Sequence, residues 1–135
     1  MAVSAADEHV LAETPWRYRI VRRGDRFLYD LHVESGFASW DEEHPLTRDE
    51  AEALLAAPRR AMLLFAALHP IHQSRSTPEP GLTGRIALAP RDEAEASLDE
   101  LDRHHNGACS NLLRILLGRP ERSPRMGWFE GEGAP

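Results

Sequence analysis

Ala61-Met62-Leu63-Leu64-Phe65-Ala66-Ala67-Leu68 is the longest apolar run in the chain, and the other elements are arranged to cover it. Eight residues fall far short of the roughly 20 that cross a bilayer, so the run predicts a core helix and no membrane segment. A helix that is apolar on every side must be buried on every side. The remaining elements are therefore expected to pack around it.

Upstream of the run the period is two. Trp16, Tyr18 and Ile20 alternate with Arg17, Arg19 and Val21, the pattern of a half-buried strand. Arg23-Gly24-Asp25-Arg26 supplies a tight turn. Phe27, Tyr29, Leu31 and Val33 then alternate with Leu28, Asp30, His32 and Glu34, and after Ser35-Gly36 the stretch Phe37-Ala38-Ser39-Trp40 reads as a short third strand. This is a β-meander. Residues 1–14 show no clear period and read as a flexible arm. Asp41-Glu42-Glu43-His44-Pro45 reads as an acidic connector.

Thr47-Arg48-Asp49-Glu50 is a capping box: hydroxyl and carboxylate each accept from the other residue's amide. Pro58 breaks the helix that follows and suits the first position of another. Helices are predicted over about 48–57 and 58–69, the second carrying the apolar run. Residues 70–82 have loop composition. Leu82, Gly84, Ile86 and Leu88 alternate with Thr83, Arg85, Ala87 and Ala89 as a candidate fourth strand. Further helices are predicted over about 90–105 and 109–117, separated by the stop signal Asn106-Gly107. The expected fold is α+β: an N-terminal antiparallel β-meander of three strands, with the candidate fourth, packed against four short helices around a central apolar helix. One domain spans 15–118, and 119–135 form a Pro/Gly-rich tail.

A chain of 135 residues fits one domain. Its formal net charge of −6 argues against nucleic-acid binding, which needs a basic face to displace phosphate counterions. All 16 basic residues are arginine, so no lysine is present for Schiff-base chemistry. The single cysteine excludes an internal disulfide and fits a reducing compartment. With no basic, apolar leader at the start, the expected location is cytoplasmic. Phosphate-cradling motifs are absent, and no cofactor is expected.

Two clusters carry metal-type ligands: His69 with His72, and His104 and His105 with Cys109. Pro70 interrupts the first pair, and histidines beside a helix end more often serve the dipole or solvent, so structural roles are the stronger reading. Cys109 has no nucleophile signature around it and reads as a small buried residue. The acidic residues are more distinctive. Glu42 and Glu43, and then Asp92, Glu95, Asp99 and Asp102, read either as solvated faces or as a surface that meets a basic partner. In the tail, Arg119, Arg122 and Arg125 precede Trp128-Phe129, a pair that either docks on a partner or folds back onto the core.

The composite expectation is a non-enzymatic acidic module that neutralises or scaffolds a basic protein partner, in the manner of an immunity, inhibitor or adaptor protein. The alternative is a small enzyme or a ligand- or metal-binding domain. Its pocket would lie between the aromatic sheet face (Trp16, Tyr18, Tyr29, Trp40) and the apolar helix, with His69 or His104 for polar chemistry.

Overall fold

A computed structural model describes residues 7–119 and 127–131. The alternating segments form a four-stranded antiparallel sheet in sequence order: β1 Glu8–Thr14, β2 Tyr18–Arg23, β3 Arg26–Ser35 and β4 Ala38–Leu46. The register sets Tyr18 opposite Leu31 and Ile20 opposite Tyr29, while on the other side Tyr29 faces His44, Leu31 faces Glu42 and Val33 faces Trp40. Period two then sorts the residues. One face carries Tyr18, Ile20, Tyr29, Leu31 and Val33 into the core. The opposite face carries ion pairs: Arg19 with Asp30 at 2.8 Å, and Arg23 with both Glu8 and Glu43 at 2.8 Å.

The sheet departs from expectation at its two edges. Residues 8–14, read as part of a flexible arm, form the edge strand β1; residues 1–6 lie outside the described residues. Most of β1 is exposed, with a register shift between Val10 and Ala12, so it lacks the one-sided apolar pattern that betrays a strand. The acidic connector is the second half of β4. An edge strand tolerates Pro45, which cannot donate to a ladder. Trp16 is not a strand residue: it sits in the turn before β2 at φ 65°.

Helix α1, Arg48–Ala56, begins with the predicted box: the Thr47 hydroxyl accepts from the Glu50 amide at 3.1 Å, and the Glu50 carboxylate accepts from the Thr47 amide at 2.8 Å. Helix α2, Pro58–Gln73, contains the apolar run and continues four residues beyond the expected stop. Pro70 removes one backbone donor, yet His69 and Ile71 on either side of it are buried, and that burial holds the last turn in place. The helix packs against β3 and all four other helices. Tyr18 and Tyr29 stack with ring centroids 5.3 Å apart, Phe65 lies against Tyr18, and the Tyr29 hydroxyl donates to the Ala61 carbonyl at 2.7 Å.

The candidate fourth strand is instead helix α3, Leu82–Ala87. Spacings of i and i+4 satisfy a period of two as well as one of 3.6, so Leu82 and Ile86 fit either reading. Burial separates them: Leu82, Ile86 and Ala87 are buried, while Leu88, which a strand would bury with them, is exposed. Helix α4, Arg91–His104, buries Ala94, Leu98 and Asp102, and α5, Ala108–Leu116, buries Cys109 and Leu113. Between them Asn106 and Gly107 both take positive φ, the helix-ending turn their sequence predicts.

Candidate functional site

The residues proposed from sequence as a partner surface are mostly occupied within the chain. Glu43 is tied to Arg23, and that contact lowers its pKa. Glu42 accepts from the Trp40 indole N–H at 3.0 Å. Asp99 accepts from the Trp128 indole N–H at 2.9 Å. Asp102 is buried, receiving the Ser110 amide at 2.9 Å and the Ser110 hydroxyl at 3.0 Å. Of the α4 acids named, Asp92 is exposed and Glu95 half-buried.

Trp128 and Phe129 fold back. Both are buried, and the buried Arg59 at the start of α2 donates to the Trp128 and Glu130 carbonyls at 2.8 and 2.9 Å. Arg60 and Arg91 lie over the Phe129 ring at 5.3 and 4.8 Å. Arg122 and Arg125 lie outside the described residues.

The histidine clusters separate. His69 is buried against Phe65, and its Nε2 accepts from the Glu34 amide at 3.3 Å. His104 is exposed and His105 half-buried beside it. Cys109 is fully buried, and burial pushes its thiol up to about 12, so the thiolate that nucleophilic chemistry needs is not formed at neutral pH. Among the described residues, no group of three or more His, Cys, Asp and Glu side chains could hold a metal ion. The space between sheet and α2, where the alternative reading put a pocket, is filled by Tyr18, Tyr29 and Phe65.

A cleft does open beside it. Its volume is about 600 Å³, and it lies between the edge strand β4, the end of α2 and the segment 75–83. His44 and His72 meet in its wall with Nε2 to Nε2 at 2.8 Å. Burial lowers the pKa of both rings, and for His44 the neighbouring His72 lowers it further, while Glu42 opposes the shift in each. Two neutral imidazoles can share one proton across such a contact. Glu42 Oε1 stands 3.9 Å from His72 Nδ1. Arg75 lies over Trp40 at 4.3 Å and takes φ 61°, an uncommon conformation for a residue with a Cβ.

The second feature is at one end of the sheet. The Arg17 carbonyl accepts from the His32 amide at 2.8 Å, so the β1–β2 turn leaves the sheet beside His32, and the Trp16 ring sits edge-on to that histidine at 6.2 Å. The β3–β4 turn closes a few residues further along β3, where Ser35 pairs with Ala38. Trp16 is 79% exposed at the first tip, and Phe37 is fully exposed at the second. Beside His32 the carboxylates of Glu34 and Asp41 are also exposed, Asp41 with one oxygen 2.9 Å from His32 Nδ1 and Glu34 3.7 Å from Nε2.

Sequence reasoning missed His44, hidden in a stretch read as a connector, although Trp40, Glu42, His44 and Leu46 alternate there. It placed Trp16 and Phe37 on strands, where burial was expected. Arg75 carries no local signal. Among the described residues no helix is long and apolar enough to cross a membrane. Protein-family models, curated proteins and solved structures offer no match to the chain.

Proposed function

We propose that this chain is a non-enzymatic binding module that engages a basic protein partner, and that it does so through the hairpin tips at one end of its sheet. The observation that carries the reading is the exposure of Trp16 and Phe37 together at that end, among the carboxylates of Glu34 and Asp41. Tryptophan is among the favoured hot-spot residues of interfaces, and its open face accepts an arginine or lysine cation. Exposed acids beside it favour the same partner and speed its approach. Trp16 holds positive φ, a strained state for an aromatic residue, which costs about 1–3 kcal/mol and, among the described residues, serves no packing of the core. The acidic surface expected on α4 contributes less, because Asp99 and Asp102 are committed internally.

Photo-crosslinking residues placed at 16, 37, 92 and 95 in cells that make this chain test the assignment. The expected result is one common adduct, to a basic protein, from positions 16 and 37 and little from 92 and 95. Adducts from 92 and 95 alone would return the interface to α4, and adducts from none of the four would overturn the reading.

A further inference from the structure

We propose that His44 and His72 form a binding site for a divalent transition-metal ion, with the remaining coordination positions open to the cleft. The proposal rests on the cleft alone and is independent of the hairpin tips.

The two rings come from separate elements, 28 residues apart in sequence, yet they present the same nitrogen to each other at 2.8 Å. Imidazole nitrogen is the ligand that zinc, nickel and copper prefer, and both Nε2 lone pairs become available when the ring that holds the shared proton moves it to its Nδ1 as the ion enters. Two nitrogens bound tetrahedrally at about 2.0–2.1 Å lie about 3.3 Å apart, so a small rotation of either ring admits an ion between them. The carboxylate behind the pair strengthens the case. A metal-ligating histidine usually donates its other N–H to a carboxylate, which fixes the tautomer and aims the lone pair. Glu42, held in turn by the Trp40 indole, stands on the Nδ1 side of His72 at 3.9 Å, outside hydrogen-bond distance, so its carboxylate must move closer to make that contact when the ion is bound.

The wall is also open. Both histidines line a cleft of about 600 Å³, so water or a carboxylate can complete the coordination shell, and Arg75 over Trp40 in the same cleft suits an anionic ligand there. Two side chains are fewer than the four ligands of a closed structural site, so the ion is expected to exchange. The net charge of −6 favours a cation, and oxygen-seeking ions such as Mg²⁺ find no matching donor set in a nitrogen pair.

The test is calorimetric titration of the chelator-stripped full chain with Zn²⁺, Ni²⁺ and Mg²⁺, with Trp fluorescence as a second readout. One equivalent of Zn²⁺ or Ni²⁺ and none of Mg²⁺ is expected. His44→Gln and His72→Gln should each weaken Zn²⁺ binding at least tenfold, and Glu42→Gln should weaken it by less than either, with both ligands intact. The double variant His104→Gln/His105→Gln, at the exposed histidine pair, should bind as the parent does. Melting curves without metal identify any variant that has lost its fold. Binding that survives His44→Gln and His72→Gln, binding lost only with His104 and His105, or a parent chain that takes up no Zn²⁺ would each overturn the proposal.

Discussion

Two regions of this protein set a tryptophan and a phenylalanine in turns. In residues 127–131 the pair is drawn inward: Arg59 grips the Trp128 and Glu130 carbonyls, Asp99 takes the indole N–H, and two arginines cover Phe129. At the sheet end the pair is turned outward: Trp16 and Phe37 occupy hairpin tips and meet solvent. Residue type is the same, and the difference lies in what the rest of the chain supplies. The first region has a buried cation and a carboxylate waiting for its polar atoms, and among the described residues the second has only the edge of His32. Aromatic residues with their polar atoms satisfied internally are structural, and those left unfilled at a tip are available to another molecule.

The largest stability effects are expected at the inward pair. Trp128→Ala should cost about 3–5 kcal/mol in chemical denaturation, the range for deleting a buried tryptophan. A loss below about 1 kcal/mol would mean that the segment is a loose appendage. Asp99→Ala should cost about 1–3 kcal/mol, because it strips the acceptor from a buried N–H. If stability is unchanged while tryptophan fluorescence stays blue-shifted, the hydrogen bond contributes nothing to docking.

The cleft histidines, with the buried His69 nearby on α2, give a pH signature separate from both regions. Folding lowers the pKa of His44, His69 and His72 through burial, so the unfolded chain takes up protons first as pH falls. Their contribution is present above about 6.5, the ordinary histidine value, and is lost as pH drops through that value toward the lowered folded one. The melting temperature should fall between pH 7.5 and 5.5, and by less in a His44→Gln/His72→Gln variant. At the outward half the expected effect on stability is smallest: Phe37→Ala should shift stability by no more than about 0.5 kcal/mol. Trp16→Gly should leave it unchanged or slightly raised, since glycine takes φ 65° without strain.

Much of the fold was legible because periodicity follows directly from burial. The centre of the sheet, the capping box at Thr47 and the apolar helix all have one-sided or all-round apolar patterns that only one element satisfies. The edges were not legible, since β1 and the second half of β4 pair through the backbone while their side chains are largely wet. Leu82 and Ile86 sit at a spacing that both periods share, and only the exposure of Leu88 separates helix from strand. Less of the candidate site could be read. His44 and His72 meet through tertiary packing, and the fates of Asp99 and Glu43 depended on partners far away in sequence, Trp128 and Arg23.

On the proposed reading the outward pair, and not the acidic face of α4, makes the partner contact. The direct measurement is the affinity of the crosslinked partner for two double variants, Trp16→Ala/Phe37→Ala and Asp92→Asn/Glu95→Gln, with melting temperature recorded for both. The first variant should lose at least tenfold in affinity at unchanged melting temperature, and the second should change by less than about threefold. An unchanged affinity in the first variant together with a large loss in the second would contradict it.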